Sequence, residues 1–155
     1  MININELSIG NIILGSKNGT PTIVRRINDK SVGVDGYKGS KPAIISRSSD
    51  FIYPIPLTPL ILEGTFDDLL EEISSDGDRT YTIELFDDNG EFNGNYLLCF
   101  RWDEENECLY LDYYGDEGYE LARIDYVHQL QNIFFSLRGE ELQVDEYQLK
   151  WRYKH

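Results

Sequence analysis

The sequence predicts an α+β protein: a small N-terminal SH3-like β-barrel followed by an antiparallel β-meander packed by a C-terminal helix. Three observations predict it. Short β-branched runs crowd the first fifty-odd residues, alternating aromatic runs fill the middle, and one amphipathic stretch with both caps lies near the end. Hydrophobic residues make up 41% of the 155 and aromatics 13%, enough for a packed core and too much for a disordered chain.

The first element, Asn11 to Leu14, is apolar and is followed by Ser16-Lys17-Asn18-Gly19, a turn composition. Thr22 to Ile27 is β-branched around Arg25 and Arg26, and Asn28-Asp29-Lys30 supplies the next turn. Ser31 to Val34, Ala43 to Ser46 and Phe51 to Ile55 complete five candidate strands. That density suits a small barrel, a fold reused for nucleic acids, peptides and plain docking.

Pro54, Pro56 and Pro59 then stiffen a link where the charge changes sign. Residues 1 to 57 carry seven Lys or Arg against four acids, a net of +3, and residues 58 to 155 carry a net of −17. Two modules are therefore expected, 1–57 and 58–155.

Thr58-Pro59 is an N-cap with proline in the first turn, and Gly64 ends the turn it starts. Thr65 to Asp68 offers a second start, predicting a helix over Phe66 to Ser74 with Phe66, Leu69, Leu70 and Ile73 on one face; Asp76-Gly77-Asp78 closes it. In the meander, a two-residue turn at Asn89-Gly90 sets Tyr81 against Leu98, and a loop at Glu104-Glu105 sets Phe100 against Leu109. Both registers gather Tyr96, Leu98, Phe100 and Trp102 with Ile83, Leu109, Leu111 and Tyr113 on one face, agreement that supports an antiparallel sheet. Tyr119 to Ile124 adds a fourth strand, and Gln143 to Trp151 an edge strand after the last helix.

That last helix is the clearest element. Asp125 is the expected N-cap and Gly139 the left-handed C-cap; Tyr126, Leu130, Ile133, Phe134 and Leu137 form the apolar stripe that would cover the meander. Its other face is unusual. His128, Gln131, Asn132 and Phe135 stand at i, i+3, i+4 and i+7, a patch of neutral hydrogen-bonding groups around an aromatic ring and the candidate binding site. On the plainer reading Phe135 is core and the amides pair with neighbouring loops.

The run H-Q-L-Q-N-I-F-F-S-L-R-G-E-E-L from His128 resembles the closing helix of a family of small proteins of unknown function. That family is encoded by gut Bacteroides-type bacteria and their phages and mobile elements. The opening I-N-E-L-S-I-G-N-I-I and the link I-P-L-T-P at Ile55 to Pro59 carry the same resemblance. Gly64-Thr65-Phe66, the acidic run behind it and the tail after Val144 depart from the pattern. The resemblance implies a cytoplasmic bacterial or phage protein and no catalysis.

No nucleophile elbow, phosphate loop, dinucleotide fingerprint or metal spacing is present in the sequence, so neither an enzyme nor a cofactor is expected. Cys99 and Cys108 read as reduced structural thiols, placed diagonally on the face opposite the aromatics. The acidic tips Asp87 to Glu91 and Asp103 to Glu107 lack calcium-loop spacing. The absence of a long apolar run, and a start without a signal-peptide pattern, predict a soluble cytoplasmic protein with no membrane partner.

Three functional readings remain. A protein partner engaged by the helix patch, or by a groove between barrel and sheet, is the leading one. An acidic mimic of DNA that inhibits a nucleic-acid enzyme is second. Weak nucleic-acid binding by the barrel, helped by the Lys150 to His155 tail, is third; nucleic acid is the less expected partner because a net of +3 is weak for it.

Overall fold

A computed structural model describes residues 2–15, 19–35, 42–46, 52–83, 98–113 and 120–154. It is mixed α+β, with two antiparallel sheets, and its contacts divide it into two compact units. One comprises Met1–Pro56, Tyr126–Glu141 and Glu146–His155; the other comprises Leu57–Asp125 and Leu142–Asp145. The first break falls beside the proline-rich link, one residue from the expected place. The chain after Asp125 is shared between units, so the expected second module 58–155 is not continuous.

In the first unit β1 (Ile12–Leu14), β2 (Pro21–Ile27), β3 (Ser31–Asp35) and β4 (Ala43–Ser46) form a meander in that order. Asn28 turns β2 into β3: its carboxamide oxygen accepts from Lys30 N–H at 2.9 Å and Ser31 N–H at 2.8 Å, satisfying amides the turn would strand. A register shift between Val24 and Arg26 sets Arg26 opposite Gly33, where a Cβ would stand 3.1 Å from that of Arg26. Ile13, Val24, Val32 and Val34 point inward with Ile2, Leu7 and Ile52 to make the core.

Of the fifth candidate strand, Phe51 lies outside the described residues, and Tyr53 makes one antiparallel bridge to Leu14. Among the described residues the sheet does not close into a barrel.

The predicted closing helix is α2, Val127–Arg138. It begins one residue later than expected: Tyr126 is the extended N-cap residue, and its N–H donates to the Gln129 side chain at 3.2 Å. Gly139 takes the left-handed conformation (φ 71°) and donates to the Phe135 carbonyl at 2.8 Å, as its position predicts. Val127, His128, Leu130 and Phe134 form the buried face, whereas Leu137 is 37% exposed. α2 packs on β1 of the first unit. The sequence instead predicts that it covers the meander of the second unit.

α3 (Glu146–Lys154) also belongs to the first unit and buries Leu149. It replaces the edge strand expected over Gln143 to Trp151. The run E-Y-Q-L-K-W-R-Y-K is rich in helix formers, and its single buried side chain asks for no sheet face.

The second unit opens with α1 (Pro59–Thr65), capped as predicted: the Thr58 hydroxyl accepts from Ile61 N–H at 3.2 Å, and Gly64 (φ 74°) breaks the turn. The expected Phe66 to Ser74 helix does not form. Asp67 and Asp68 lie in a turn, and β5 (Leu70–Ile73) follows, pairing with β6 (Arg79–Ile83). Phe66 and Leu69 are buried while Leu70 and Ile73 are 48% and 61% exposed, so the four never share one face. Cross-strand pairing outweighs a short helical pattern.

β7 (Leu98–Asp103), β8 (Cys108–Tyr113) and β9 (Glu120–Ile124) complete a meander in the order β5-β6-β7-β8-β9. Tyr81 pairs with Phe100 and Phe100 with Leu111, each two residues from the expected register. A shift of two preserves the face, so Tyr81, Phe100, Trp102, Leu109 and Leu111 are buried together on one side. The β7–β8 turn spans four residues rather than two. Asp103 shapes it, accepting from Glu105 N–H at 2.9 Å and from Asn106 N–H at 3.0 Å. The Asn89-Gly90 turn lies outside the described residues.

Cys99 pairs with Asp112 and Cys108 with Asp103 across the same ladder, four positions apart. At about 3.3 Å per residue that separation is too long for a disulfide. Both thiols are buried and free, and burial pushes the Cys99 thiol up.

Candidate functional site

The amide face of α2 meets the segment from Glu6 to Ile12, within the first unit. Strand alternation explains why. Leu14 turns its N–H and C=O away from β2, bonding Tyr53 in both directions at 2.9 and 3.0 Å, and Ile12, two residues earlier, points the same way. Ile12 N–H is taken by the Gln131 side-chain oxygen at 2.9 Å, and the Gln131 amide nitrogen donates to the Gly10 carbonyl at 3.2 Å. One glutamine thus covers a buried position on the outer edge of β1, beside the Leu14–Tyr53 bridge.

Asn132 completes the seam. Its nitrogen donates to the Glu6 carbonyl at 2.8 Å, and its oxygen accepts from the Asn11 side chain at 2.9 Å. Asn11 is 3% exposed, and its own oxygen accepts from Ser8 N–H at 2.8 Å. The sequence reading did not single out Asn11; the signal was a carboxamide directly before an apolar strand, where a buried polar group needs a partner.

His128 is 1% exposed, and neither ring nitrogen has a hydrogen-bond partner among the described residues. Its Nε2 stands 3.8 Å from a Glu6 carboxylate oxygen, beyond hydrogen-bond reach, and its ring stacks on Tyr126 at 5.9 Å. Burial pushes the imidazole below its ordinary pKa, and the Glu6 charge opposes that only in part. Phe135, half exposed at 54%, is the one member of the four-residue patch that faces solvent. The structure therefore joins His128, Gln131 and Asn132 to the N-terminal segment and leaves the aromatic ring outside.

Among the described residues no group of three His, Cys, Asp or Glu side chains is arranged to hold a metal ion. No helix of those residues is long and apolar enough to cross a membrane.

The larger chemical contrast lies between the units. Counted from the sequence, the first unit holds eleven Lys and Arg against seven acids, a net of +4. The second holds three, Arg79, Arg101 and Arg123, against twenty-one acids, a net of −18. All three arginines are tied to the unit's own carboxylates: Arg79 to Glu71 at 3.7 Å, Arg101 to Asp112 at 3.0 Å and Arg123 to Asp125 at 2.9 Å. The unit's twenty-one acids thus exceed its basic residues by eighteen. Those on β5 and on the β7–β8 turn, including Glu72, Glu104, Glu105 and Glu107, are exposed.

Tyr81, on β6 next to the edge strand, is fully buried. Its hydroxyl donates to Glu71 at 3.2 Å, and burial, reinforced by that carboxylate, pushes its pKa up to about 12. Comparison with protein-family models, curated proteins and solved structures finds no match to this chain.

Proposed function

We propose that this is a non-catalytic, cytoplasmic interaction protein of a bacterial or phage genome, and that its acidic second unit engages a Lys- and Arg-rich protein partner. The charge partition carries the reading. A unit of net −18 whose three arginines are already paired internally projects a negative field that attracts basic surfaces and repels nucleic acid. The α2 patch is the weaker docking candidate, because its amides are engaged by the N-terminal segment and only Phe135 presents free apolar area.

The first unit we read as an SH3-like small barrel, supported by its meander order and by Tyr53 on the outer edge of β1. On this account it is a scaffold. Its net of +4 is low for a nucleic-acid surface, and Arg25 is paired with Asp35 at 2.8 Å.

The test is capture from bacterial lysate by the immobilised whole chain, at low and high salt, beside a variant carrying Glu104→Lys, Glu105→Lys and Glu107→Lys. Basic proteins retained at low salt, released by salt and lost with the variant are the expected result. Retention that ignores both salt and charge reversal overturns the reading. The same charge supports a second reading, imitation of the phosphate field of DNA; there the captured protein is a DNA-handling enzyme and duplex DNA competes for it.

A further inference from the structure

Among the described residues β5 is an edge strand. It pairs with β6 on one side, and among the described residues no segment pairs with the other. All four of its residues are exposed, Leu70 by 48% and Ile73 by 61%.

The register fixes which backbone groups face outward. Ser74 N–H donates to the Asp78 carbonyl at 2.9 Å, and the Glu72 carbonyl accepts from the Thr80 hydroxyl at 3.4 Å, so the even-numbered residues turn toward β6. The N–H and C=O of Glu71 and Ile73 therefore point away from the sheet. These are the donors and acceptors that an added strand would use.

Edge strands are usually protected by a bulge, a proline, a lysine or a covering segment. Among the described residues only the approach to β5 is flanked, and the strand's own protection is its shortness and its two glutamates. Val144 bridges Phe66, Asp145 N–H donates to the Thr65 carbonyl at 2.9 Å, and Gln143 N–H turns aside to the Asp68 carboxylate at 2.9 Å. The segment 142–145 thus flanks residues 65–68 and does not pair with β5.

We propose that β5 accepts a strand from a protein partner, and that the strand carries two adjacent Lys or Arg residues between apolar ones. The order Leu70-Glu71-Glu72-Ile73 sets the pattern: apolar ends and an acidic centre, with Glu72 exposed and Glu71 also holding Arg79 at 3.7 Å and the Tyr81 hydroxyl at 3.2 Å, matched by apolar–basic–basic–apolar in either strand direction. A second copy of this chain is a poor occupant. Antiparallel self-pairing over the same four residues sets Glu71 opposite Glu72 and brings two units of net −18 together. The inference rests on the reading that the acidic unit engages a basic partner, and it names the strand that does so.

The probe is a synthetic ten-residue peptide with a Val-Lys-Lys-Val centre, titrated into the whole chain at low salt. Three comparisons accompany it: a Val-Glu-Glu-Val peptide, the basic peptide N-methylated at its two central lysines, and the variants Ile73→Pro and Glu72→Lys. Ile73→Pro removes only an outward N–H, so the β6 pairing survives it, and circular dichroism checks that. The expected result is binding of the basic peptide alone, weakened about tenfold or more by N-methylation, Ile73→Pro or Glu72→Lys, with new exchange protection at the Glu71 and Ile73 amides. Binding that Ile73→Pro and N-methylation leave unchanged overturns the edge assignment while the acidic-unit reading stands. Equal binding of the acidic peptide overturns the charge complementarity. No binding of any peptide overturns the inference, and the lysate capture then decides the broader reading separately.

Discussion

Gln131→Ala is the sharpest perturbation of the first unit. It removes the acceptor for Ile12 N–H at 2.9 Å and the donor to the Gly10 carbonyl at 3.2 Å. The two bonds are worth about 1 kcal/mol each net, and an unpaired buried N–H at Ile12 costs ~1–3 kcal/mol in desolvation. Ile12 is 4% exposed, so water does not readily replace the lost partner. Since these contributions overlap, the expected loss is about 2–3 kcal/mol, large for a single polar side chain on a helix surface. Urea denaturation of wild type and variant measures it, and amide exchange locates it: Ile12 should lose protection while the β6–β8 ladder of the other unit keeps its own. A loss below ~0.5 kcal/mol, or an Ile12 amide as protected as before, would refute the argument that α2 caps the edge of β1.

Gly139→Ala should cost about 1 kcal/mol from backbone strain alone, because φ is 71° and a Cβ there meets nothing within 4 Å; thermal denaturation reads it. His128 should make the first unit less stable in acid. Its folded pKa is depressed below the unfolded value near ~6.5, so stability is full above that value and is lost as pH falls from it toward the folded pKa. His128→Phe should flatten that part of a stability-against-pH curve, and an unchanged slope would assign it to other groups. Alkaline absorbance titration should reveal a tyrosine that resists ionisation until about pH 12 and is lost in Tyr81→Phe.

Much of the fold was legible because its signals are local. Thr58-Pro59, Gly64 and Gly139 mark helix ends through their own backbone chemistry, and four of the five N-terminal strands stand close to where β-branched runs place them. The meander kept its faces and lost its register, since a change of two residues in turn length moves partners without moving faces. The misses came from competition at long range. Residues 66–74 match a helical stripe on paper, yet β6 offers backbone partners that a short helix cannot equal. The unusual amides of α2 were visible, but their partners lie some 120 residues earlier, at Asn11 and Ile12, and no spacing within the helix names them. The charge break was visible near Pro54 to Pro59. Its full size emerges only when α2 and α3 are counted with the first unit.

The most direct test sets the two candidate surfaces against each other in one experiment: lysate capture by Phe135→Ala beside capture by the Glu104→Lys, Glu105→Lys, Glu107→Lys variant. Phe135→Ala should retain the same basic partners as wild type, and charge reversal should lose them. Partners lost with Phe135→Ala and kept after charge reversal would place the interaction on α2 and contradict the acidic-unit reading.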